Sequence, residues 1–160
     1  MTVRLSTGCR TDALEDLKSR YDGAVLRFFP ADQPASADND EGVDHLVEIT
    51  VDGLAFTPGS QTNGLDFGDI TNDAQFIQSI LSKPAGVTWK GRGVRAGTIG
   101  WGRLYTNERI TGASTTGSRI DGHASTASGD DFQVSTATVE VGVEVTVSAM
   151  NLRLKYQKNV

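Results

Sequence analysis

Cys9, His45 and His123 are the side chains of this chain best suited to nucleophilic or metal chemistry. A cysteine just ahead of a helix start can have a lowered thiol pKa, and with a histidine it could act as a nucleophile. No third residue is placed to orient such a pair. Two histidines and one cysteine are too few for a four-ligand structural zinc site. His45 falls on the apolar face of a predicted strand and reads as a packed, hydrogen-bonded residue. No serine stands in a Gly-x-Ser-x-Gly elbow, so a hydrolase triad has no anchor. Gly91-Arg92-Gly93 and Gly97-Thr98 lack the following Lys-Ser/Thr of a phosphate loop. No catalytic, cofactor-binding or metal residue is assigned, and the chain reads as a non-enzyme.

Three further groupings have chemistry of their own. Asp38, Asn39, Asp40, Glu41 and Asp44 offer oxygen ligands of the kind calcium takes, but without the alternating spacing and final glutamate of an EF-hand loop. They read as a solvated acidic loop. Lys90, Arg92 and Arg95 form a basic patch beside Trp89. An aromatic among cations suits single-stranded nucleic acid, yet Trp89 fits a core position better and the cations a rim. Trp89, Trp101 and Tyr105 would make a sugar-binding surface if exposed, although Trp101 reads as core.

The elements that must position these residues are mostly strands. The central one is Gly97 to Tyr105, where Ile99, Trp101, Arg103 and Tyr105 alternate with Thr98, Gly100, Gly102 and Leu104. Its large side chains are expected to anchor the core, and its glycines to admit another backbone closely. Residues 6–21 read as a helix, with Thr11 or Asp12 as cap, Glu15 completing a capping box, and Asp22-Gly23 as the stop. Leu14, Leu17 and Tyr21 share one face of it. Ala24 to Phe29 and Val43 to Val51 read as strands, separated by a long loop with Pro30 and Pro34. Asn72 to Lys83 reads as a second, short helix, with Phe76, Ile77, Ile80 and Leu81 as its stripe. Residues 106–118 are a Thr/Ser/Gly-rich loop. Val143 to Tyr156 is the clearest long strand, and its apolar face switches near Ala149, as a bulge or a change of neighbour would require. About eight strands and one clear helix predict a single mainly β domain over residues 1–160, an antiparallel β-sandwich of jelly-roll type with the 72–83 helix inserted.

The 160 residues suffice for one domain with its own core. A single cysteine excludes an intramolecular disulfide and fits synthesis in a reducing cytoplasm. No apolar run approaches the ~20 residues of a membrane span, and Met1 to Leu5 lack the apolar core of a secretion signal. The net charge of −5 argues against a general nucleic-acid binder. Residues 1–80 hold 5 Lys/Arg against 14 Asp/Glu, whereas residues 81–160 hold 10 against 6. If the fold keeps the halves apart, copies could dock acidic surface to basic surface.

Several segments carry a resemblance. They are Leu26-Arg27-Phe28-Phe29 leading into Gln33-Pro34-Ala35-Ser36-Ala37-Asp38, then Leu46-Val47-Glu48-Ile49-Thr50 and Leu54-Ala55-Phe56. Ala96 to Tyr105 and Ser128-Gly129-Asp130-Asp131-Phe132 follow. Their order, over about residues 10–156, resembles that of small virion structural proteins of tailed bacteriophages and prophages. The resemblance implies a non-enzymatic component present in many copies, as capsid decoration, neck or collar ring, or tail module. It would be made in the host bacterial cytoplasm, reside in the virion, bind other virion proteins, and form a homo-oligomer or sit on a lattice. Leu14 and Leu17 on the helix, with Lys90, Arg92 and Arg95, are the expected interface residues. A carbohydrate-binding module for host attachment is the alternative.

Overall fold

The computed structural model describes residues 4–155. The expectations for Met1 to Val3 and for Tyr156 onward lie outside the described residues. Among the described residues one helix, α1 (Thr7–Arg20), is followed by eleven strands. They are β1 (Val25–Phe29), β2 (Val47–Ile49), β3 (Thr71–Asp73), β4 (Gln78–Ser82), β5 (Trp89–Arg92) and β6 (Gly97–Thr98). Then come β7 (Trp101–Tyr105), β8 (Arg119–Ser125), β9 (Phe132–Val134), β10 (Thr138–Val139) and β11 (Glu144–Lys155).

The main sheet runs β2-β1-β7-β8-β9-β11-β4-β3, with β5 also on β11. β6 and β10 form a separate two-stranded ribbon. The long strand β11 works as a hinge line. Its first residues pair with β5, its last with β4, and its register on β9 slips between Val147 and Ala149. The slip and the change of neighbour fall where the apolar face switches. The sheet then curls until its ends meet. Thr50 N–H donates to the Lys90 carbonyl at 2.9 Å, and Lys90 N–H donates back to Thr50 at 2.8 Å.

The fold is mainly β with one helix, as the strand patterning predicts. The sheet is mixed, however, because β8 and β9 run parallel while the other strand pairs among the described residues are antiparallel. A wholly antiparallel arrangement is therefore corrected. So is the helix at 72–83, which is a β3–β4 hairpin. Asp73 takes the role of a cap, but its Oδ1 accepts from the N–H groups of Gln75 and Phe76 in a turn and not at a helix start. The expected strand from Val43 to Val51 shortens to Val47–Ile49. Helix α1 lies within the expected bounds, but Ser6 caps it by accepting from Cys9 N–H at 3.2 Å.

The core sits inside the curl. Leu26, Phe28, Val47, Ile49 and Leu104 from one wall meet Trp89, Phe132, Val145, Val147 and Met150 from the other. Helix α1 closes one end through Leu14, which is fully buried, with Leu17 partly buried against the same cluster. Close wall-to-wall approach depends on glycine. A Cβ on Gly91 would stand 2.0 Å from the Glu48 carbonyl oxygen. One on Gly102 would stand 2.8 Å from the Phe28 ring. The bare face of the central strand thus receives aromatic rings from the core, while Gly100 lets the Ala31 carbonyl approach to 2.1 Å of where a Cβ would be.

Two glycine substitutions are expected to act with opposite sign in urea unfolding. Gly91→Ala forces β5 away from β2 and lowers stability by about 1–3 kcal/mol or more. Gly8→Ala sits in the first turn of α1 with open space around it, so helix propensity raises stability by up to about 1 kcal/mol. An unchanged midpoint for Gly91→Ala would contradict the wall-to-wall closure.

Candidate functional site

The expected central strand from Gly97 to Tyr105 is split: Gly97–Thr98 pairs with β10, and β7 alone buries both faces. Leu104 joins the core, whereas Trp101, Arg103 and Tyr105 point to the outer side of β1, β7 and β8. There, loops 30–46 and 106–118 lie over the charged groups, and Phe56 packs on Tyr105. This corrects the expectation that Trp101, Arg103 and Tyr105 face the main core. The reason is volume: Gly102 leaves the opposite face to the Phe28 and Phe132 rings, and Gly100 leaves it to the Ala31 backbone.

Under the loops lies a charged layer. Strand register sets Glu48, Arg27, Arg103 and Asp121 in one row across four strands. Two adjacent arginines would repel, so each has its own carboxylate. Arg27 pairs with Glu48 at 2.8 Å, and Arg109 reaches the same Glu48 oxygen at 3.0 Å. Arg103, at 0% exposure, grips Asp121 with two parallel bonds, Nε to Oδ1 at 2.6 Å and Nη2 to Oδ2 at 2.7 Å. Such a fork is the strongest common carboxylate pairing.

Arg103 also ties in the first loop. Its Nη1 donates to the Asn39 carbonyl at 2.9 Å and to Glu41 at 3.2 Å. Tyr105 donates its hydroxyl to the same Glu41 oxygen at 2.7 Å. The other Glu41 oxygen accepts from Gly112 N–H in the second loop at 2.9 Å. Glu41 is thus the rivet between strand and both loops. Burial works to raise its pKa, but the bonds from Tyr105 and Gly112 and the Arg103 charge outweigh this and hold it below the usual 4.5. Burial and the bond to Glu41 push the Tyr105 phenol well above its ordinary range. Buried Arg119 fastens the second loop from within by donating to the carbonyls of Gly112 and Ser114.

The acidic loop is solvated at Asp38, Asn39, Asp40 and Asp44, which are exposed, and departs from that reading at Glu41. Asp40 accepts from Gly42 N–H at 2.6 Å, Asp44 pairs with Arg95 at 2.5 Å, and Glu41 is enclosed. Among the described residues these side chains do not converge into a group of three or more that could hold a metal ion. His45 is half-buried, edge-on to Phe29. Burial first, then Arg27, lowers its pKa, so it is neutral at pH 7. His123 lies elsewhere, beside Asp130, with Nδ1 3.4 Å from Oδ1. Ser125 donates to the other Asp130 oxygen. Its hydroxyl meets a carboxylate and not the imidazole, so the trio lacks the order of a hydrolase triad. Cys9 is exposed and stands apart from both histidines, on α1.

Trp89, Trp101 and Tyr105 are all buried, so they form no exposed sugar platform. Trp101 stacks on Phe29 at 4.5 Å, and the Arg103 guanidinium lies 5.3 Å from its ring centre. The expected interface residues fall in two places. Leu14 and Leu17 face the core. Lys90, Arg92 and Arg95 share one end of the sheet. Lys90 lies 3.8 Å from Glu144, Arg92 donates to the Gly142 carbonyl at 3.0 Å, and Arg95 holds Asp44. Sequence reasoning missed the Arg103–Asp121–Glu41 cluster. Its one signal was a charged residue in each of two otherwise strand-like apolar alternations.

The layer acts as a clamp that fixes the two loops on the sheet. Arg103→Met leaves Asp121 and Glu41 buried without their cation and is expected to cost about 3–5 kcal/mol in urea unfolding. A loss below about 1 kcal/mol would contradict the clamp. The pH dependence follows from Glu41. A depressed folded pKa gives stabilisation that is full above 4.5 and is lost as pH falls through the lower folded value. Urea midpoints measured from about pH 6 down to about pH 3 should fall more steeply in the native protein than in Glu41→Gln.

Comparison with protein-family models, with curated proteins and with solved structures returns no match.

Proposed function

We propose that this chain is a non-enzymatic structural component of a tailed-phage virion. It is used in many copies and held by protein–protein contacts on the capsid, neck or tail. The curled sheet serves as a sandwich-like body, with β1, β2, β7 and β8 backed against β5, β9 and β11. The observation that carries the reading is an exposed apolar cluster on that rigid body. Gly93 N–H donates to Val143 at 2.9 Å, and Gly142 N–H donates to Gly93 at 2.7 Å. These bonds bring Val94, Val141 and Val143 to one end of the sheet, where they are 59%, 67% and 47% exposed.

Arg92, Arg95, Glu140 and Glu144 stand around the valines in the chain, all exposed. An apolar centre with a charged rim is the anatomy of a protein contact. The mixed signs of the rim suit register and partner choice more than raw affinity. The internal pairing of the chemistry-bearing side chains, and a scaffold that fixes its loops, favour assembly over catalysis. Assembly occurs after synthesis in the host bacterial cytoplasm, and the virion is the site of action.

Light scattering, with co-sedimentation on purified capsids or tails, tests this. The native protein should form a closed oligomer or bind particles. Val141→Asp should abolish both while moving stability by no more than about 0.5 kcal/mol, as exposed positions do. A protein that stays monomeric at every concentration and binds neither capsids nor tails would overturn the proposal.

A further inference from the structure

Helix α1 starts with positive character that no ion pair among the described residues answers. Its first turn holds no acidic residue. Arg10, in the second half of that turn, is only 3% exposed. Nη1 donates to the Leu5 carbonyl at 2.7 Å and Nη2 to the Thr7 hydroxyl at 3.1 Å. Both acceptors are neutral. Nε has no partner. Among the described residues no carboxylate forms an ion pair with Arg10. A buried cation without a counter-charge is unfavourable, and a helix N-terminus adds to its positive potential. Arg103, by contrast, is equally buried and fully matched.

Arg10 lines a cavity of about 330 Å³ between the start of α1 and the β3–β4 hairpin. Asp73 also lines it and keeps its negative charge there, its oxygens accepting from neutral donors of the hairpin. Oδ1 accepts from the N–H groups of Gln75 and Phe76, and Oδ2 from the Gln78 amide at 3.2 Å. Asn72 accepts at Oδ1 from Ser79 at 2.7 Å and from Thr11 at 3.4 Å, which leaves its Nδ2 as a donor. Ala74 and Ile77 supply the apolar part of the wall. Ile77 is held at φ 48°, an uncommon conformation for a β-branched residue and one that recurs at ligand clamps.

We propose that this cavity binds a carboxylate carried on a short apolar stem. The carboxylate supplies the charge that Arg10 lacks and accepts from Asn72 Nδ2. The stem lies against Ala74 and Ile77. A single charge and an apolar wall fit a monoanionic organic acid better than phosphate. The carboxylate can belong to a free acid or to the C-terminal residue of a peptide. The inference stands apart from the assembly reading, since it concerns a cavity within one copy.

Amide NMR titration of the full chain tests it. The probes are butyrate, a short peptide ending in a valine carboxylate, its amidated form, and phosphate. Saturable shifts centred on Thr7, Asn72 and Ile77 are expected with a carboxylate. Butyrate binding points to a free acid. Binding of the peptide acid, with butyrate weak and the amide silent, points to a protein-borne carboxylate. Arg10→Gln should weaken binding at least about tenfold, the loss of one charged hydrogen bond. Ala74→Trp, at an exposed position, should do the same by filling the cavity, and decides the matter if Arg10→Gln fails to fold. No saturable shift with either carboxylate, equal shifts with phosphate, or full binding by Ala74→Trp would overturn the proposal.

Discussion

A guanidinium buried at the centre of a sheet must be neutralised, and much of this fold follows from how Arg103 is. Its fork needs a carboxylate in the same plane, and cross-strand register supplies Asp121. Its remaining donor needs a second acceptor, which no strand offers. The loop after β1 therefore folds back to bring Asn39 and Glu41. Glu41 has a second oxygen to satisfy, and Gly112 of the other loop provides the N–H. One buried charge thus fixes the positions of two loops distant in sequence. Removing a single partner leaves the others uncompensated, which makes the layer cooperative.

The outer layer is possible because the inner face is handled differently. Glycines at 91 and 102 let backbone and rings come close, and the sheet curls until β5 meets the end of β2. Apolar packing fills the curl, and ion pairs fill the space under the loops. Each face of β7 therefore belongs to a different kind of interior. Such a body is stiff on its loop side and closed in its core. At another end of the sheet Val94, Val141 and Val143 stand exposed among charged residues.

Much of this was legible from residue patterns. The helix showed itself in Leu14, Leu17 and Tyr21 and in the glycine after Asp22. Its cap did not, because Thr11 and Asp12 are as good cappers as Ser6 and lie closer to the apolar stripe. The alternation of β11 and its switch near Ala149 came through intact. The β3–β4 hairpin did not, since Phe76, Ile77, Ile80 and Leu81 fit a helical spacing. Asp73 there makes the bonds of a cap in a turn. Short apolar runs carry both periods, and only pairing with β11 decides between them. The parallel β8–β9 pair was equally hidden, because strand direction is set by topology and not by local pattern.

The charged layer was the least legible part. Arg103 could be seen as an exception within an apolar face. Its partners lie 18 and 62 residues away, and nothing in local spacing links them. Glu41 sat in what looked like a solvated acidic run, and only enclosure by both loops changes its meaning. The most direct measurement is native-state hydrogen exchange at Gly112 and Ser114. Their N–H groups donate across the loops to Glu41 and to the Asp38 carbonyl. A clamp built on Arg103 predicts that both exchange only through global unfolding, with protection equal to that of β7. Exchange at the rate of an open loop, with β7 still protected, would contradict it.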